Sequence, residues 1–297
     1  MTLPEQLKAK FQGAKALWNQ ALDLDGMEVA AVLTLGLLLL HAGTFWYLTV
    51  PLTVICILGF ALRPLLLNST YWLLLAAIAA YGNFRNWYSV DNHKFLTTYW
   101  CIGLHCSLLT RDPRAAASLQ GRLLIGLSFA FACFWKFAAP DFLSGEFFKY
   151  QMLVDPRFDW LASVVAGVPV ASANVNDLRI LELRAWDATA IAAPVMGGPR
   201  LALTAQVMTW WTIVIELLIA TAFLAPAKFF LSRWKHPLLI AFVVTTYAVA
   251  NVVGFGWLLL AMGVANCPQE NRRVRGGYFV SFVFIHAFLI PFRNLGV

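Results

Sequence analysis

The chain has 297 residues, is 60% hydrophobic and only 12% charged, and carries a formal charge of +7 with a mean hydropathy of +0.70. Soluble domains carry about 25% charged residues, so this composition excludes a fully wetted globular surface and points to a polytopic α-helical membrane protein. Alternating polar and apolar strands are absent, which argues against a β-barrel, and basic loops beside a membrane account for the charge without any nucleic acid.

The first 27 residues are mixed and do not form a secretory signal, which would place a short basic stretch before an apolar core. Leu3, Leu7, Phe11, Trp18 and Leu22 fall near one helical face, flanked by Lys8, Lys10 and Lys15. That pattern suits a helix lying on an anionic membrane surface, and it also suits a solvated cap helix. Apolar runs of about 20 residues, each able to cross hydrocarbon of about 30 Å, then recur from Val29 to Ile290.

The expected fold is all-α, a transmembrane bundle of about eight spans at roughly 28–46, 49–66, 70–84, 94–110, 118–138, 206–227, 237–262 and 277–293. Pro51 suits the first turn of the second helix, and one long tilted helix through the first pair would give seven spans instead. The third run is short for a full crossing. Segment 28–139 thus holds spans one to five, and 206–297 holds spans six to eight. Between them, 140–205 is expected to be an extracytoplasmic loop with short amphipathic helices, because a connection of that length seldom lacks structure. Trp160, Trp186 and the mixed run from Asp177 to Arg184 supply their faces, while Ala188 to Pro199 reads as flexible or re-entrant.

With eight spans, one side collects Lys8, Lys10, Lys15, Arg63, Arg111, Arg114, Arg122, Lys228, Arg233, Lys235 and Arg293. This bias places both termini in the cytoplasm, across a cytoplasmic (inner) membrane. Arg272, Arg273 and Arg275 fall on the other side and run against it. Cys56, Cys101, Cys106, Cys133 and Cys267 show no CxxC spacing, and no HExxH, GxGxxG or Walker loop is present, so no metal is indicated.

Ionisable groups inside spans cost roughly 2.5–3.5 kcal/mol on insertion scales, so each needs a reason. Glu216 lies deep in the sixth run, in a stripe with Thr209 and Thr212. It reads either as a carboxyl bonded to a neighbouring helix or as a functional group with a basic partner. His93, Thr97, Cys101 and His105 are spaced four apart, after the capping residues Asp91 and Asn92. His93, at the mouth of that run, is the functional candidate, whereas Cys101 and His105 fit helix packing. Asn251, Gly254 and Gly256 fit close helix approach, and His41 and His286 fit buried structural roles. Lys136 ends the fifth run, where its stem can snorkel to the interface or its amine can act as a base.

Three segments together resemble the vitamin K-dependent γ-carboxylase-like (HTTM-type) membrane proteins. They are Asp91-Asn92-His93-Lys94-Phe95-Leu96 before an apolar run, Ala132 to Gly145 with its span-ending lysine, and Ile215-Glu216-Leu217-Leu218. The resemblance covers about residues 70–262 and implies Lys136 as the base that deprotonates a reduced quinone of the vitamin K type, oxygen then yielding a strong base for carboxylation. It implies His93 as a supporting polar residue and Glu216 as a tuning group. The family's histidine in the segment matching 237–262 has no counterpart, where Tyr247, Ala248 and Asn251 stand instead. The chain also ends near its last span, without the soluble domain that binds propeptides in true carboxylases. The expected activity is therefore quinol- or lipid-directed, with membrane lipids and a quinol as partners. The alternative is a non-catalytic subunit or assembly factor completed by a membrane protein partner.

Overall fold

A computed structural model describes residues 3–169, 172, 175–176 and 197–287. Among the described residues every regular element is helical: α1 (Leu3–Asp23), α2 (Gly26–Ala42), α3 (Trp46–Ala61), α4 (Ser69–Arg85), α5 (Asn92–Leu108), α6 (Pro113–Ala138), α7 (Pro140–Leu143), α8 (Glu146–Val154), α9 (Leu201–Leu224), α10 (Lys235–Tyr247), α11 (Val253–Asn266) and α12 (Arg272–Ala287). By length and composition, α6 and α9 can each cross a membrane, and the bent pair Lys15–Asp23 with α2 makes a third candidate. The other apolar runs are helical but shorter. The side chains of Leu3, Leu7 and Phe11 lie outside the described residues. Trp18 packs edge-on to Phe279 of α12 with centroids 6.1 Å apart.

Helix α2 starts at Asp25, whose carboxylate accepts from the Met27 and Glu28 amides and from Arg114 Nε at 2.8 Å. Arg114 lies in the first turn of α6, so α2 and α6 begin at the same end of the bundle. The chain leaves α2 at Gly43 and re-enters as α3 at Trp46, and Thr49 Oγ1 donates to Ala42 O across the turn at 3.0 Å. Two separate helices therefore replace the single long helix of the seven-span reading. Pro51 sits inside α3 rather than at its start.

The largest departure from expectation lies in 237–262. It is two antiparallel helices, α10 and α11, joined by a tight turn. Tyr278 of α12 accounts for the geometry at one end: its hydroxyl is 2.8 Å from His236 Nδ1 at the start of α10, and its ring lies against Gly263 near the end of α11. At the other end, the ring of Tyr247 lies against Gly256, where a Cβ would come within 2.6 Å of it. Glycine there lets the two helices meet directly after the turn. Asn251 sits in the turn and donates from Nδ2 to Ile285 O at 3.2 Å.

This hairpin relocates the last arginines. Arg272 pairs with Asp23 at 2.5 Å and Arg275 donates to Leu24 O, so both lie at the end of the bundle where α1 turns into α2. This is the side opposite to the one an eight-span path gives them. Helix α12 then runs toward the other end, its described part reaching Ala287. Arg293 lies outside the described residues. Helix α11 is buried along almost its whole length, at the centre of the bundle, against α2, α6 and α12.

The described part of the segment after α6 forms short helices: α7, α8, a 3₁₀ turn at Pro156–Phe158 and a π turn at Leu161–Val165. Gly145 adopts φ 83° between α7 and α8, a left-handed turn that favours glycine. Phe142, Phe148, Met152 and Phe158 form a second apolar core with Leu201, Ala205 and Ile213 of α9. Val249 and Ala250, in the hairpin turn, pack on it, so this segment caps the end of the bundle opposite α1. Trp186, the run from Asp177 to Arg184 and residues 188–196 lie outside the described residues.

Candidate functional site

The three residues singled out in the sequence, His93, Lys136 and Glu216, line one cavity of about 820 Å³. Each comes from a different helix. Lys136 occupies the last turn of α6, where a cation complements the helix dipole. Helix side chains tilt towards the N-terminus, so its stem leads back into the bundle. Its Nζ donates to Glu216 Oε2 at 2.7 Å, and the two side chains are only 16% and 8% exposed. The ammonium also lies 5.2 Å from the Phe142 ring centroid, a cation–π distance. The snorkelling expected of a lysine at a span end does not occur.

Glu216 is buried in α9. Its expected companions do not join it: Thr209 donates to Phe142 O and Thr212 to Met208 O in its own helix. Lys136 is thus the basic partner that the carboxylate required. A buried pair of this kind is costly to break, because the remaining charge is left uncompensated. Cys133, one turn before Lys136, is buried and free.

His93 opens α5 at the capped end of the cavity, and its ring centroid lies 5.4 Å from that of His41, the next-to-last residue of α2. Gly254 of α11 explains how both rings fit. A Cβ at this position would lie 2.7 Å from His41 Nε2 and 2.9 Å from His93 Nε2, so the two imidazole edges converge on a glycine. The sequence assigns His41 a buried structural role, apart from His93. The sequence holds no signal for that pairing, which joins separate helices through a third. The remaining members of the His93 stripe serve packing: Thr97 bonds back to His93 O, Cys101 is fully buried, and His105 Nδ1 lies 3.0 Å from Ser69 O. His286 packs on Trp257 and Phe282, away from the cavity.

Asp91, Asn92, Ser128 and Arg157 add to the polar lining. Arg157, from the turn after α8, was not among the sequence candidates. It is held by Asp155, which accepts from Arg157 Nε with both carboxylate oxygens at 3.0 Å and from Arg157 Nη2 at 2.5 Å. Burial alone would raise the Asp155 pKa, but the hydrogen bonds and charge of Arg157 hold it below the usual carboxylate value. An Asp-Pro-Arg turn is visible in the sequence, although nothing there links it to His93.

The remaining wall is apolar, with Leu96, Tyr99, Leu127, Phe131, Trp135 and Phe255 among its residues. Phe131 and Trp135 are 62% and 67% exposed, so this wall continues onto the outer surface of the bundle. The site therefore combines an apolar flank reaching the outside with an inner end carrying one ion pair and a histidine. Among the described residues no group of His, Cys, Asp and Glu side chains could hold a metal ion. No family model matches this chain, and no curated protein or solved structure does.

Proposed function

We propose that this protein sits in a membrane and acts on a lipophilic hydroxyl-bearing substrate, of the reduced-quinone type, with Lys136 and Glu216 as the proton-accepting pair. The observation that carries the reading is the single cavity shared by His93, Lys136 and Glu216, with an apolar wall continuous with the outside. The order of these residues resembles that of the γ-carboxylase-like proteins and adds to it.

The ion pair sharpens the role first assigned to lysine. An ammonium already carrying its proton cannot accept another. The pair holds one proton in two arrangements, ammonium with carboxylate or amine with carboxylic acid. A proton leaving a substrate hydroxyl therefore enters the pair as a second proton, on the Lys136 amine once the first has moved to the Glu216 carboxylate. His93 stands at the capped end, where it can pass a proton onward. The non-catalytic alternative required Lys136 to face lipid headgroups, and its 2.7 Å contact with Glu216 favours the enzymatic reading.

Turnover of reduced quinone by the purified protein in lipid nanodiscs tests this directly. Lys136→Arg keeps the charge pair but removes an amine able to lose its proton, since guanidinium stays protonated. The expected loss is about 10²-fold or more, the range of general acid–base contributions. Full turnover in that variant, or none in the wild type, would remove the proposal.

For the membrane path, we propose that α2 to α6 and α9 to α12 run from face to face, which turns the eight expected crossings into nine by dividing the seventh. Helices α10 and α11, at roughly 20 Å each by their 1.5 Å rise, are short for hydrocarbon and are covered by their neighbours. Arg272, Arg273 and Arg275 then share a face with Lys228, Arg233 and Lys235. The conflict posed by these three arginines disappears, that face is assigned to the cytoplasm, and the far end of α12 then falls on the opposite face from α1, which corrects the placement of both termini on one side. Single cysteines at Lys228 and Gln269, both exposed, in a background lacking the exposed Cys106, are expected to react with an impermeant thiol reagent from the same side. Labelling from opposite sides would restore the single-span path.

A further inference from the structure

A second cavity, of about 600 Å³, lies at the other end of the bundle, where α1 leaves α2 at 103°. Its size falls within the range of small-ligand sites, about 300–1,000 Å³. Leu24, Val32, Leu33, Leu67 and Phe279 give it apolar walls, and two charged residues border it: Glu28, in the first turn of α2, and Arg63, which opens the 3₁₀ turn Arg63–Leu67. Both are exposed, and among the described residues neither side chain has an ion-pair partner. One apolar cavity thus carries one free carboxylate and one free guanidinium.

We infer that this cavity binds a phospholipid with an ethanolamine headgroup, one acyl chain lying along the apolar walls. The two charges on its border decide the headgroup. A guanidinium offers a planar fork of donors to a phosphodiester. A carboxylate accepts hydrogen bonds from a primary ammonium, which has three to give. A glycerol headgroup offers Glu28 only neutral hydroxyls in place of an ammonium, and a choline has no N–H to donate to it. The cavity lies at the same end as Arg114 and Arg272, so its charged border sits at the level of the lipid headgroups. The inference rests on the membrane reading above and is independent of the chemistry assigned to Lys136.

The test is native mass spectrometry of the delipidated protein offered equal amounts of phosphatidylethanolamine, phosphatidylcholine and phosphatidylglycerol. One phosphatidylethanolamine per chain is expected to be retained in preference to the others. Glu28→Gln is expected to cut that preference over phosphatidylcholine about tenfold, the scale of one charge-assisted hydrogen bond. Arg63→Gln is expected to weaken retention of all three. Both positions are exposed, so the variants should fold, and circular dichroism checks that they do. Equal retention of the three lipids, preference for phosphatidylglycerol, an unchanged preference in Glu28→Gln, or a protein dimer without lipid would each overturn the assignment. Recovery of the protein from cells without detergent would instead overturn the membrane reading itself, an outcome distinct from all of these.

Discussion

Lys136→Met is expected to destabilise the protein by about 3–5 kcal/mol, the cost of leaving one partner of a buried ion pair uncompensated. The two side chains are nearly enclosed, and Glu216 has no other basic group within ion-pair distance among the described residues. Glu216→Leu should cost a similar amount, because the ammonium of Lys136 would then lie in a largely apolar setting with only the Phe142 ring nearby. The double variant should recover most of the loss, since replacing a whole buried pair by apolar groups is often neutral. Chemical unfolding of the four proteins in one detergent completes the cycle, and a coupling energy of several kcal/mol is expected. Additive single effects would mean that the contact stabilises nothing. Recovery of stability in the double variant without recovery of turnover would then separate folding from chemistry.

That pair also marks how far the sequence could be read. Lys136 and Glu216 stood out because an ionisable group in an apolar run carries a cost that something must offset. The same cost left two readings of Glu216, a carboxyl bonded to a neighbouring helix or a functional group with a basic partner. What the residues could not state was that the two meet, because nothing in one sequence fixes how α6 and α9 face each other. His41 and Arg157 are different: each looks ordinary in its own segment, and only packing around Gly254 and the turn after α8 brings them to His93. The helices themselves were legible because long apolar runs bounded by polar residues, without strand-like alternation, favour helices. The hairpin of α10 and α11 was not. Hydropathy records how long a run is and not whether it doubles back, and 237–262 has the length of one crossing. Two of its features pointed to the turn without deciding it: Asn251 with two nearby glycines, and an arginine cluster on the wrong side of an eight-span path.

Gly254 offers the second test, since the site geometry converges on its missing side chain. In Gly254→Ala the new methyl would lie 2.7 Å and 2.9 Å from His41 Nε2 and His93 Nε2, well inside the 3.5–4.0 Å at which nonbonded atoms attract. The clashing atoms are the far ends of two side chains, so both rings must turn away from the edge of α11 to make room. Overpacking of this kind costs about 1–3 kcal/mol, and the stability loss in Gly254→Ala should fall in that range. The more telling effect is on the cavity: a displaced His93 ring should lower quinol turnover further than the stability loss explains, measured well below the unfolding temperature. Gly103→Ala in α5 is the control. Its added methyl would meet Gln120 Cβ at 3.4 Å, close to ordinary contact, and alanine favours a helix over glycine by about 1 kcal/mol. That variant should be as stable as the wild type and fully active. If Gly254→Ala matched it in both respects, the two histidines would not share the edge of α11, and His93 would lose its place in the proposed proton path.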